Sequence, residues 1–357
     1  MKACPHCGHQ NGADTENCLE CGAAFSLPLT EDSAHNETGG AEVASVSDLS
    51  ELDMGFEESE GFSRPDWKAI NEFVKNRVSK DELSAAWDYI VAQWLKQLAM
   101  DLGGESRVRR FHDFYCLSDL EAKTTKTLLA YAEFVEGTIR TILGKAAWSG
   151  YQGKHVLLLF SDPDDYFAYI SYYYGVGNHM LSAGIFIRKG YAHVALPYTD
   201  TLSAQHVLVH ELAHNLLCHL PIPLWLNEGL AVVIERHVAR RTFLVDRELA
   251  DRHRSHWNEV NIQAFWAGKS YDVPGDESEL SYSLGEILVT LLSEKGPDFA
   301  DFVNAADWRD AGQDAAINFM NQDLGEVLGG FLGAGNWRPQ RKAIADCLKR
   351  KAGQMRG

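Results

Sequence analysis

Apolar residues recur at helical spacing through two early stretches of the chain. Trp67, Ile70, Phe73, Val74 and Val78 fall on one face of a first predicted helix. Leu83, Trp87, Ile90, Val91, Trp94, Leu95 and Leu98 fall on one face of a second. Between them Ser79-Lys80-Asp81-Glu82 reads as a capping box, and Gly103-Gly104 ends the second helix. From Arg107 the pattern alternates between strand and helix. Residues 108–116 read as a strand, and Ser118-Asp119-Leu120-Glu121 as a second capping box whose helix runs to Gly144. His155-Val156-Leu157-Leu158-Leu159-Phe160 reads as a buried strand, followed by a helix containing Tyr166, Phe167, Tyr169 and Ile170. Residues 184–188 and 191–196 then read as a hairpin turning at Lys189-Gly190. The order predicts an α+β fold with a mixed sheet.

The next helix carries its apolar load on Val207, Leu208, Leu212, Leu216 and Leu217, with Thr201 or Ser203 as its cap. Pro221-Ile222-Pro223 breaks it, and Pro223 is placed to open another helix. The first of this pair contains His210-Glu211-Leu212-Ala213-His214. Residues four apart on a helix lie one turn above each other, so both imidazoles can reach one metal ion. Glu211, about 100° round the helix, stands close enough to act on a bound water without being a ligand. The second helix carries Trp225-Leu226-Asn227-Glu228-Gly229-Leu230-Ala231. A catalytic zinc needs three protein ligands and one open position, and Glu228 is the candidate third ligand beside His210 and His214. Gly229, lacking a side chain, is expected to let the two helices approach closely. The competing reading is an ordinary buried helix with two hydrogen-bonded histidines.

The N-terminus adds a second candidate metal site. Cys4-Pro5-His6-Cys7-Gly8 and Cys18-Leu19-Glu20-Cys21-Gly22 supply four thiolates, enough to close a tetrahedral structural zinc site. A segment this short buries no core, so the metal would supply its folding energy. Residues 1–25 therefore read as a zinc ribbon with ligands Cys4, Cys7, Cys18 and Cys21, and His6 and His9 as bystanders. Residues 26–63 hold no Lys or Arg and few large apolar residues, and read as an acidic flexible linker, with a short docking element at Leu49, Leu52, Met54 and Phe56 as the alternative. The remaining divisions are a helical segment at 64–104, a catalytic domain at 105–335 and a basic C-terminal helix at 336–357 with a solvated face. Residues 246–275 form a polar stretch rich in His and Trp, followed by a helix from Ser281 to Lys295.

Charge narrows the partners. The formal net charge is −17, and the ribbon's basic residue Lys2 faces Asp14, Glu16 and Glu20. Both features disfavour nucleic acid. The ribbon is left as a dock for a protein partner or as a folding cap. No run is apolar and long enough to span a membrane, and the N-terminus lacks the apolar core of a signal peptide. The cysteines read as metal ligands and not as a disulfide framework, so a cytoplasmic protein is expected.

The H-E-x-x-H and W-L-N-E-G-L-A pair resembles the gluzincin zinc metallopeptidases, the superfamily of thermolysin and the zinc aminopeptidases. The short gap between His214 and Glu228 is most similar to the bacterial peptidase MA-like members. The resemblance covers about residues 107–335, and only the zinc motifs in it are specific. It implies hydrolysis of a peptide or protein substrate, with Glu211 as general base and an edge strand that holds the peptide. It also implies a donor at the start of the helix after the glutamate helix, which places Tyr282 as candidate; a core tyrosine is the alternative. His193 and His219 are weaker candidates, and Cys218 reads as packing. One position departs from the pattern. Relatives carry an acid one turn after the ligand glutamate, where this chain has Val232, so the outer partners of the histidines must come from elsewhere. The alternative function is an inactive peptidase-like binding protein, against which the intact Glu211 argues.

Overall fold

The computed structural model describes residues 2–3, 10–11, 49, 52–103, 106–148, 153–174 and 183–354, residues 2–3, 10–11, 174 and 348–354 by their backbone alone. The chain divides into two units, 1–47 and 48–357. In the first, strand β1 (Lys2–Ala3) pairs antiparallel with β2 (Gln10–Asn11), Lys2 opposite Asn11. Cys4, Cys7, Cys18 and Cys21 lie outside the described residues, as does most of the expected linker.

The second unit begins before the linker was expected to end. Strands β3 (Glu57–Ser59) and β4 (Phe62–Arg64) form a hairpin. Leu49, Met54 and Phe62 are buried, the last two in the core. These apolar side chains overcome the acidity that predicted a linker through residue 63. Arg64 fixes the hairpin. Its guanidinium lies over the rings of Phe62, Tyr169, Tyr172 and Tyr173, 4.1 Å from the Tyr172 centroid, and donates to the Tyr169 carbonyl.

Helices α1 (Trp67–Arg77) and α2 (Leu83–Leu102) follow the predicted stripes. Asp66 caps α1 by accepting from the Lys68 and Ala69 amides. The expected capping box before α2 is replaced by a side-chain bond from Ser79 Oγ to Glu82 Oε2. The single strand expected at 108–116 is a hairpin of β5 (Arg107–Phe111) and β6 (Phe114–Ser118). His112 turns the chain in the left-handed region at φ 47°, a role usually signalled by glycine. Then come α3 (Ala122–Leu143), β7 (His155–Phe160), α4 (Pro163–Tyr174), β8 (Ile185–Ile187) and β9 (His193–Pro197).

The five-stranded sheet has the order β5-β6-β7-β9-β8. Strands β6, β7 and β9 run parallel, and the outer pairs β5/β6 and β8/β9 are antiparallel. The fold is thus α+β with a mixed sheet. Parallel strands need cover on both faces. On one face α1, α2 and α4 pack with Val156, Leu158 and Phe160; on the other α3 and the later helices pack with Leu157 and Leu159.

Helix α5 (Thr201–Leu217) lies on that second face and α6 (Leu224–Val238) packs against it. Asp200, not Thr201 or Ser203, caps α5 by accepting from the Ser203 amide. The polar stretch contains α7 (Arg247–His256) and α8 (Ile262–Trp266). Helix α9 (Asp276–Ser293) starts earlier than expected, so Tyr282 sits in its second turn and not at its opening. Gly229 serves α9 and not α5: a Cβ there would lie 2.5 Å from the Gly285 carbonyl oxygen. Helices α10 (Phe299–Ala305), α11 (Gln313–Met320), α12 (Leu324–Leu332) and α13 (Arg341–Gln354) complete the chain. The C-terminal segment is docked and not simply solvated. Trp337 and Ile344 are buried, Trp266 Nε1 donates to the Trp337 carbonyl, and Arg341 pairs with Asp310 and Asp314.

Candidate metal centre

Two consecutive helices and one edge strand build the site. The four-residue spacing on α5 stacks His210 over His214, their ring centroids 4.7 Å apart. The break at Pro221 and Pro223 turns α6 back, so Glu228 faces both rings. One carboxylate oxygen, Oε2, stands 3.5 Å from Nε2 of His210 and 3.5 Å from Nε2 of His214. One ligand atom from each of the three residues falls within 4.8 Å of the others. The grouping expected from the motif is therefore present in space.

These distances bear on what the group can hold. At 3.5 Å the contacts are longer than good hydrogen bonds of roughly 2.7–3.2 Å. A tetrahedral ion with ligand bonds of about 2.1 Å separates its ligands by roughly 3.4 Å. The donor types and their spacing thus fit zinc, with the cleft side left for a fourth ligand.

Electrostatics is dominated by mutual compensation. Burial disfavours charge on each ring, yet the surrounding carboxylates together outweigh it, Glu228 and Glu211 at both rings and Glu235 also at His210, and hold both above the usual histidine range. Burial pushes Glu228 up, and the two imidazoles more than offset this, leaving its carboxyl well below the usual range. A divalent cation bound here would compete with protons for the same imidazole nitrogens and carboxylate.

Glu211 is 8% exposed and lines the same cleft. Burial raises its carboxyl above the usual range despite the nearby histidines, toward the value useful in a general base. The backbone of Phe186 in β8 hydrogen-bonds to it, so the edge strand and the base share one contact. Gly184 lets β8 sit this close to α5, since a Cβ there would meet Val207 Cγ1 at 2.2 Å.

Tyr282 also lines the cleft, 40% exposed. Burial, with Glu228 and Glu211 nearby, pushes its hydroxyl up to about 12, so it stays a protonated donor. Its ring meets Tyr271 edge-on at 5.0 Å, and the Tyr271 hydroxyl donates to the Ser281 carbonyl. Cys218 lines the cleft rather than only packing, beside Leu217, Leu220 and Ile222.

Other expectations change. His193 lies on the opposite face of the sheet, buried with Tyr169 Oη at 2.8 Å from its Nε2. It does not line the cleft, and neither does His219. The outer partner of His210 is Glu235, with Oε2 3.8 Å from Nδ1; its other oxygen lies 3.7 Å from Nδ1 of His206. The missing acid at Val232 had left this partner unassigned. The signal was present: Glu235 is seven residues, close to two turns, after Glu228 and so shares its face. His214 Nδ1 is buried without a hydrogen-bond partner among the described residues. Tyr271 left no local signal, because its role depends on how α9 packs.

No protein-family model matches the chain, and no curated protein matches it either.

Proposed function

We propose that this protein is a zinc-dependent peptide hydrolase of gluzincin type. The observation that carries the reading is one carboxylate oxygen of Glu228 at 3.5 Å from two imidazole Nε2 atoms, with Glu211 buried beside them in a cleft. His210, His214 and Glu228 hold the ion. When bound, zinc acidifies a water and polarises the scissile carbonyl.

The chain's own residues supply the rest. The peptide lies along β8, the outermost strand of the sheet, where an extended chain can add with little demand on sequence. Glu211 takes the proton of the attacking water and delivers it to the leaving amine. The Tyr282 hydroxyl donates to the oxygen on which negative charge develops. Glu235 orients the His210 ring from its far side.

The test is direct. Metal content is measured, and a mixed peptide digest is followed by mass spectrometry with and without chelator. Chelator-sensitive cleavage supports the reading. A zinc-loaded protein that cleaves nothing would instead favour a peptidase-like binding protein.

A further inference from the structure

The cleft holds one cation whose charge the site itself does not use. It has a volume of about 470 Å³ and is lined on its acidic side by Glu211 and Glu228. The lining also includes Leu217, Leu220 and Ile222, and Arg188. Arg188 is exposed and follows directly on β8. Phe186 packs with the core beneath α5, whereas Ile185 and Ile187 pack with the opposite core. Alternation therefore places residue 188 on the Phe186 face, over the cleft.

Among the described residues Arg188 makes no ion pair. That contrasts with Arg236, Arg252, Arg338 and Arg341, each of which pairs with a carboxylate. Acidic residues outnumber Lys and Arg by 50 to 33, and Arg188 lines a cleft that contains two carboxylates without pairing with either. Arg188 also depresses the protonation of His219, just past the end of α5, although burial is the larger influence there. Arg188 thus lines the same cleft as the apolar Leu217, Leu220 and Ile222.

We propose that Arg188 anchors a carboxylate of the bound peptide, so that the cleft selects substrates with an apolar side chain followed by a negative charge. The carboxylate is either the peptide's C-terminal group or an Asp or Glu side chain. A guanidinium fits both, because its planar fork donates two parallel bonds to one carboxylate. The inference rests on the reading of the cleft as a peptide site.

The experiment measures binding, which separates it from turnover. Fluorescent peptides are titrated onto the zinc-loaded full chain carrying Glu211→Gln, with and without Arg188→Gln. Three peptides share an apolar core: one ends in a free acid, one in an amide, and one is an amide with an added Glu. The acid, the Glu peptide or both should bind about ten-fold tighter than the plain amide, the worth of one charge-assisted contact. Whichever carboxylate gives the gain identifies its source. Arg188→Gln should bring all three to one affinity. If the three bind equally before Arg188 is changed, the carboxylate anchor is wrong while the peptide site stands. If none binds, both readings fall. If the preference survives Arg188→Gln, another cation is the anchor and the assignment to Arg188 is overturned.

Discussion

Glu211, Glu228 and Tyr282 line one cleft and Glu235 stands on the far side of His210; the proposed mechanism gives each a different step, so their variants should fail differently. Glu211→Gln keeps shape and hydrogen bonding and removes the base. Zinc content should hold while turnover falls by about 10²–10⁴-fold, the usual worth of a positioned acid or base. Glu228→Ala removes a ligand, so metal and turnover should go together. Tyr282→Phe should retain zinc and lower the rate constant by about 10²-fold, as loss of one oxyanion donor does. Glu235→Gln should weaken zinc affinity by about 10–100-fold, because the His210 ring loses its orienting carboxylate. Competition with a coloured chelator reads the metal, and a quenched peptide reads the rate. A Glu211→Gln protein that cleaves at the parental rate would end the proposed mechanism. Unchanged zinc affinity in Glu235→Gln would reduce that residue to a surface acid.

Helix packing, not the motif alone, holds Glu228 in place. A Cβ at Gly229 would lie 2.5 Å from the Gly285 carbonyl oxygen and 2.7 Å from Val289 Cγ2. A backbone oxygen cannot swing away, so α6 or α9 must move. Gly229→Ala should therefore cost about 1–3 kcal/mol, typical of overpacking. It should also weaken zinc binding, since the proposed ligand Glu228 is the preceding residue. Thermal melts and metal competition test this; an unshifted melting temperature would mean that the two helices slide freely. The same contact marks where sequence reading stops. Spacing within one element was legible: His210 above His214, the apolar stripes of α1 and α2, and the turn at Gly190 with φ 75°. Each depends on neighbours a few residues apart. The partner of Gly229 was misassigned to α5 because a glycine announces a close approach but not to what. The β5/β6 turn was missed because His112 takes a conformation usually given to glycine. The 57–64 hairpin was hidden because three buried apolar residues, Leu49, Met54 and Phe62, are sparse in an acidic stretch and show no period. Tyr271 reaches Tyr282 through a fold that no window of sequence contains.

At the scale of the whole molecule, the sheet separates two cores, and each encloses a neutral histidine that links folding to pH. His193 lies among Trp94, Tyr169 and Tyr173. Its Nδ1 stands 2.7 Å from the Tyr191 carbonyl and so carries the proton, which leaves Nε2 to accept from the Tyr169 hydroxyl. His253 in α7 accepts from Trp257 Nε1 and faces Ser283 Oγ on α9. Burial holds each at about 4, against 6.5 for a free histidine. The unfolded chain therefore binds more protons than the folded one between those two values. Stability is complete above about pH 6.5 and falls as pH drops toward 4, below which both states are protonated. For fully buried His193 the loss approaches roughly 3 kcal/mol. Two other processes overlap this range: release of the proposed zinc as its ligands protonate, and relief of self-repulsion as the net charge of −17 shrinks. Both are common to the parent and a His193→Gln variant, whose amide can still donate to the Tyr191 carbonyl and accept from Tyr169. The quantity to measure is therefore the difference in unfolding free energy between the two proteins, by urea titration at several pH values. It should change in favour of the variant as pH falls from 6.5 to 4 and be flat above 7. A difference that stays constant throughout would mean that His193 takes up a proton in the folded state as readily as in water, and that its two hydrogen bonds do not fix it in the neutral form.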